Sequence, residues 1–404
     1  MRLVNFKELF SNFLSLFQNE DRFLVVEILH HELRAASINA DFANKEIFVK
    51  KVWQTPISLE NNQNPLDAIR KFLLKIKNLS KYRIILSLDS SLATTVYSSS
   101  ALVHQHTKEP IDEAELDNLI SQAIWKFFDR QRNRVAVKMK ISDVDVLLTD
   151  VRIRGIKLDG HRVINPLGFQ AKSVEFYLSQ TFAPRAFIKE LKEFLPEDRL
   201  LFVTEAGAAW SNVLLKSEES GSFLLVNLFP EQTSLFHADD GRVCHWGHIG
   251  WGEKNLHSVL ARHLAVSPET SSAIFKIYFE NKGSPAFIKK IEKVLMEELR
   301  VLAKHLETAT NKTDAKFVYL NSFYNLPPVV FSSGFRGVFD KPIRMDLASS
   351  DFFGEKLGIK VKFKKGLKMN NKFATLATLL ESHLSPQNDK ISRMARRRVR
   401  WLLP

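Results

Sequence analysis

Cysteine is almost absent. Cys244 is the one thiol in 404 residues, which rules out an internal disulfide and fits a reducing compartment. Glycine is scarce as well, at 15 residues against the roughly 7% of an average protein. Backbone cradles for phosphate depend on glycine, so this chain has little material for them. No run approaches the roughly 18 uninterrupted apolar residues of a membrane-spanning helix. The N-terminus lacks a secretory pattern, because Lys7, Glu8, Asn12 and Gln18 break up its Phe and Leu residues. Cys and His nowhere take metal-ligand spacing, and His30–His31 and His104/His106 read as isolated surface pairs. Without a recognition helix, zinc finger or aromatic RNA-binding signature, no nucleic-acid partner is expected. Acidic side chains are also in deficit, and the net charge is +13.

What is present is globular. The chain is 45% hydrophobic and 25% charged, and its length has room for two to four domains with their own cores. The positive excess is unevenly spread. Lys360, Lys362, Lys364, Lys365 and Lys368 form one basic stretch, and the last fifteen residues hold five arginines. Wound as a helix, that tail puts Ile391, Met394, Ala395, Val399 and Leu402 on one side, with Trp401 and Leu403 at its margins. Arg393, Arg396, Arg397 and Arg400 fall on the other. An apolar strip backed by arginine suits an in-plane membrane anchor. The competing reading is a basic tail that packs on the protein or binds nucleic acid. Residues 5–18 have a similar Phe-rich amphipathic pattern and suit docking on the body or a second membrane contact.

Three strands are expected over residues 23–29, 33–38 and 46–53, then a helix at 65–78 and a strand at 82–88. Asp112 with Glu115 marks the start of a long helix ending near Arg132. A second three-strand meander is expected over 223–228, 233–237 and 242–249, followed by helices at about 252–265, 268–280 and 285–308 and strands at 317–320 and 328–332. The plan is duplicated in architecture and not in sequence.

Six segments carry a resemblance to a known family. Val25–His31 stands where its first phosphate motif lies, and Val226–Leu235 where its second lies. His248–Leu256 resembles its I-x-x-G-G-x-x-L turn, and Val203–Trp210 its E-x-x-A-x-A helix start. Val329–Phe335 resembles its adenosine motif, and Asn165–Gly168 the N/D-P-x-G of its inserted domain. From about residue 22 the chain resembles the actin-like FtsA/PilM family. That resemblance implies an α/β, actin-like (ribonuclease-H-like) two-lobe ATPase fold with an inserted SHS2-like α+β domain. It divides the chain into an N-terminal helix (1–20), a first lobe (21–83 and 164–197), the SHS2-like domain (84–163), a second lobe (198–252 and 316–384), a helical subdomain (253–315), and a linker with the tail (385–404). Each lobe is expected to hold a five-stranded sheet.

The nucleotide motifs are degenerate. Leu29, His30 and His31 replace the first glycine hairpin, and Glu27 stands where an Asp would orient hydrated magnesium. Asn227 replaces the second acid, and Phe229-Pro230-Glu231 replaces the second glycines. Pro230 has no N–H, and Glu231 would repel phosphate. The residues left to line an ATP/Mg site are Glu27, His30, His31, Asn227, Thr233 and Gly334, so no cofactor and no turnover are expected.

The resemblance implies a membrane-tethered, pseudo-ATPase adaptor on the inner face of the cytoplasmic membrane. It would recruit an FtsZ-like division polymer, with self-association into filaments as an option. Ile391, Arg393, Met394, Arg396, Arg397, Arg400, Trp401, Leu402 and Leu403 would meet the membrane, and Lys289, Lys290, Lys293 and Arg300 the polymer's acidic peptide. The alternatives are a PilM-like cytoplasmic component of a type IV pilus or secretion assembly, and an ATPase with divergent motifs.

Overall fold

Strand β1 (Asp21–Ile28) is apolar on both faces, as a strand covered from two sides must be. The computed structural model describes residues 21–29, 32–57, 65–195, 199–217, 222–239, 242–348, 350–367, 375–384, 391, 394, 395 and 397. On one side of β1, Leu24, Val26 and Ile28 pack with helices α1 (Pro65–Leu74) and α3 (Arg185–Phe194). On the other, Phe23 and Val25 join a core shared with the second half of the chain. β1 continues into an antiparallel meander with β2 (Glu32–Asp41) and β3 (Glu46–Pro56). β4 (Arg83–Leu88) and β9 (Leu200–Glu205) then add in parallel. β15 (Lys360–Phe363) pairs with β3, so the sheet order is β15-β3-β2-β1-β4-β9.

The second sheet repeats the scheme. β10 (Phe223–Leu228), β11 (Thr233–Asp239) and β12 (Arg242–Ile249) form the meander, and β13 (Phe317–Ser322) and β14 (Arg344–Leu347) add in parallel. Its order is β12-β11-β10-β13-β14. Helices α5 (Glu253–Leu264), α6 (Pro268–Phe279) and α7 (Pro285–Thr313) follow β12. Ser267 and Ser284 cap the last two, and a proline opens each, the arrangement that satisfies orphan N–H groups at a helix start. Their apolar faces close over Leu224, Val226 and Leu228. Between the two sheets lie α4 (Ala206–Ser217) and α10 (Thr375–Leu384). Trp210, Val213, Leu376 and Leu380 bury there against both sheets.

A third sheet, β5-β8-β6-β7, is antiparallel throughout. It comprises β5 (Thr94–Val103), β6 (Val146–Leu158), β7 (His161–Val163) and β8 (Ser173–Pro184). Helix α2 (Glu113–Met139), capped by Asp112, covers it.

Four sequence-based boundaries need correction. The inserted unit runs from β5 to β8, about 94–184, and not 84–163. β4 belongs to the main sheet, where it pairs with β1. β8 pairs with β5 and β6, so Asn165–Gly168 lies inside the inserted unit and not at its exit. Residues 328–332 are no strand: Pro328–Phe331 is a 3-10 turn, since Pro327 and Pro328 cannot donate to a ladder. Finally, β15 and α10, assigned to the second lobe, return to the first and make its sheet six-stranded. His104, taken as a surface residue, is buried. Its ring bridges the Glu115 carboxylate, 2.6 Å away, and the Ala171 carbonyl oxygen at 2.7 Å.

Candidate functional site

Strand register assembles two polar rows. Glu27 lies opposite Arg34 on β2 and Ser87 on β4, and Ser87 lies opposite Thr204 on β9. In the second sheet Asn227 lies between Ser234 and Asn321. Side chains two apart share a face. Glu27 is thus on the side of Val25 and Leu29, and Asn227 on that of Leu225 and Phe229. All four apolar residues belong to the core common to both sheets. The two rows therefore look toward the junction of the lobes, and every member is buried. Glu27 and Asn227, the acid-position residues of the degenerate motifs, both lie there.

Each row ends at a hairpin. In the first, Leu29 and Glu32 exchange backbone bonds of 2.9 and 3.4 Å. His30 and His31, at its tip, lie outside the described residues. In the second, the Phe229 N–H donates to the Gln232 carbonyl at 2.9 Å, and Pro230 has none to give. Thr233, expected as a phosphate donor, gives its hydroxyl to the Trp251 carbonyl at 2.8 Å. Glu231 pairs with Lys254 at 2.6 Å. The Phe229 ring stacks on Phe323, with centroids 4.3 Å apart and planes 8° from parallel. Arg34, paired with Glu32 at 3.0 Å, donates to the Phe323 carbonyl, and Gln232 donates to Ser90 at 2.7 Å. First-lobe and second-lobe residues are thereby joined across the junction.

Space is closed as tightly as polarity. A Cβ on Gly207 would stand 2.8 Å from Asn227, and one on Gly252 would stand 2.3 Å from the Pro230 carbonyl oxygen. Asn321 donates to Asn227 at 2.8 Å, which occupies the residue standing where a magnesium-orienting acid would be. Gly334, the remnant of the adenosine motif, is exposed in the short helix α8 (Ser333–Arg336) beside Met296. At the second hairpin, Pro230 without an N–H, the stacked Phe229 ring and the Glu231 carboxylate do not fit a phosphate, and Asn227 brings no charge to a magnesium ion. Among the described residues, no group of three or more His, Cys, Asp or Glu side chains could hold a metal ion.

Glu205 was visible only as part of a motif. Its carboxylate accepts from the N–H groups of Gly207 and Ala208 at 3.0 and 2.9 Å and so caps α4. Burial pushes its pKa up to about 7, against the pull of nearby Lys138. A second cluster gave no sequence signal at all. Glu381 on α10 pairs with Arg152 of the inserted domain at 3.1 Å and accepts from Thr204 at 3.0 Å and from Asn212. Asn212 in turn accepts from Tyr97 of β5 at 3.0 Å, and Arg152 pairs with Asp150 at 2.8 Å. Burial opposes the charge on Arg152, but Glu381 and Asp150 outweigh it. The cluster ties inserted domain, first sheet and last body helix together. Its members span residues 97 to 381 on five elements, so spacing could not have revealed it.

The tail differs from its expected role. Ile391 and Met394, assigned to the membrane, are buried with Ala395 in the core of the inserted domain. These three side chains are not presented to lipid. Arg397 is exposed, while Arg393, Arg396, Arg400, Trp401, Leu402 and Leu403 lie outside the described residues. Lys289, Lys290, Lys293 and Arg300 are exposed on α7. No described helix is long and apolar enough to cross a membrane.

Comparison with known proteins gives a fold and no family. No family model matches the chain, and neither does any curated protein. Among solved structures, the chain is similar to one of the PilM–PilN type IV pilus biogenesis complex. The identity is 14% and the TM-score 0.51, over 93% of this chain and 98% of that one. It is also similar to a Bacteroides thetaiotaomicron protein of unknown function with an actin-like ATPase fold, at 7% identity and TM-score 0.45, over 93% and 99%. The ethanolamine utilization protein EutJ of Carboxydothermus hydrogenoformans matches at 10% identity and TM-score 0.38, over 90% and 89%. With its duplicated meander-plus-parallel sheets, the chain has the two-lobe actin-like fold.

Proposed function

We propose that this chain is a non-hydrolysing actin-like adaptor, a cytoplasmic scaffold component of a type IV pilus or secretion assembly. The observation that carries the loss of turnover is the filled junction. Phe229 and Phe323 stack where a nucleotide cradle would open, and Arg34 and Gln232 bridge the lobes. A body held this way is suited to presenting surfaces to partners. The pilus or secretion reading is supported by likeness to the PilM–PilN structure across nearly the full length of both chains. A division adaptor that recruits an FtsZ-like polymer keeps one supporting feature, the arginine-rich tail, of which Arg397 is exposed.

Two measurements test the proposal. Calorimetry with Mg-ATP should give no binding heat at micromolar protein. Affinity below about a micromolar, lost in Glu27→Ala, would overturn the pseudo-enzyme reading. Affinity capture from the native host should recover membrane components of a pilus or secretion machine. Recovery of a tubulin-like polymer instead, lost on charge reversal at Lys289 and Lys290, would favour division.

A further inference from the structure

The lysine stretch at 360–365 becomes a surface only in the folded chain. Lys360 and Lys362 alternate along β15 with half-buried Val361 and Phe363, which pack inward. Lys364 continues the strand by donating its backbone N–H to Val49. Lys360, Lys362 and Lys364 therefore share the outer face, and their neighbour in the sheet is β3, with Lys50 and Lys51. Lys45 precedes β3 and accepts the Lys360 N–H at its carbonyl. Lys45, Lys51, Lys360, Lys362, Lys364 and Lys365 are all exposed, and Lys50 is half-buried. Among the described residues, one acid pairs with these seven cations, Glu46 with Lys362 at 2.8 Å.

One or two lysines on an edge strand would be enough to block sheet-to-sheet aggregation. Here the charge spreads from the edge onto the next strand and the adjoining turns. We propose that this β3–β15 face is a docking surface for an anionic lipid leaflet. Lysine is a compact point charge that reads charge density and not a planar bidentate shape. Trp53, the large aromatic beside the patch, is already capped by Lys51 at 4.8 Å and is not free to stack on bases. Position adds a second argument. Phe42, in the turn that leads to Lys45, stacks on His383 with centroids 3.4 Å apart. His383 precedes the last residue of α10. Six residues separate that helix from Ile391, a reach of about 20 Å. The last body helix therefore ends on the turn that leads into the lysine face. Ile391, Met394 and Ala395 of the tail are buried in the inserted domain, so lipid contact on this face falls to the lysines.

The test is co-sedimentation of the full-length protein with phosphatidylcholine vesicles, with and without about one-third phosphatidylserine. Wild type should bind only the anionic vesicles and release as salt rises. K360E/K362E/K364E should weaken binding about a hundredfold or more. These side chains are exposed, so circular dichroism should not change. If that variant misfolds, K50E/K51E on the neighbouring strand should show the same loss. Binding unchanged in a folded variant would overturn the proposal. So would equal binding to neutral vesicles, or complete loss of binding on truncation after Asp389 with the lysines intact. Tighter binding to duplex DNA through the same lysines would replace lipid with nucleic acid. Vesicle binding and host capture are separate readouts, so failure here leaves the adaptor reading standing.

Discussion

Gly252 is held by contact and not by torsion. Its backbone is extended, with φ of −162°, which any residue can adopt. The obstacle is the backbone oxygens of Pro230 and Phe229, 2.3 and 2.6 Å from where a Cβ would stand. Backbone cannot rotate aside, so Gly252→Ala should shift the hairpin and cost about 1–3 kcal/mol, read from urea unfolding. Glu205 makes a different prediction. Its folded pKa is raised from 4.5 to about 7 by burial. Between those values the folded chain keeps a proton that the unfolded chain has released. Stability from this group is therefore present below pH 4.5, falls as pH rises to 7, and is level above. The slope is at most about 1.4 kcal/mol per pH unit. Glu205→Gln should remove it, and equal slopes in both proteins across that window would refute the assignment.

At the scale of elements, the tail and β15 share a lesson. Amphipathic periodicity identifies an apolar face but not what covers it. Two residues of the strip that suited a membrane, Ile391 and Met394, are met by the inserted domain and are 6% and 4% exposed. Each such side chain contributes about 1.5–3 kcal/mol of burial. Met394→Glu should release the tail and leave the body folded. Limited proteolysis should then cut beyond Leu384 much faster than in wild type, with little change in Tm. Unchanged cleavage would mean that docking does not depend on Met394. The same logic explains β15. Its alternation was legible as a basic stretch, but pairing with β3 joins residues more than three hundred positions apart, and no local pattern encodes a partner that distant.

For the whole molecule, the Glu381–Arg152 pair holds three bodies in one frame. Both side chains are almost fully buried. Removing one partner leaves a charge without compensation, so Arg152→Met should cost about 3–5 kcal/mol. Adding Glu381→Leu should restore part of that loss, because the stranded carboxylate goes with it. A double-mutant cycle in urea measures the coupling, and additive losses would show that the pair does not join the domains. The duplicated meanders and the long capped helices were readable beforehand. They rest on apolar alternation and on capping residues. The limits of the inserted domain were misplaced, because β4 and β8 are equally strand-like and only their partners assign them to a sheet.

Local chemistry therefore determined the elements, the actin-like duplication and which residues stand in place of glycine in its hairpins. Each is a property of neighbours in the chain. The tertiary structure decided what those neighbours could not. It set Phe229 on Phe323, brought Glu381 to Arg152, docked Ile391 and Met394 on the inserted domain, and laid β15 beside β3. Those contacts join segments whose separation in sequence carries no information about their approach. They form only when burial of both sheets' inner faces brings the segments together.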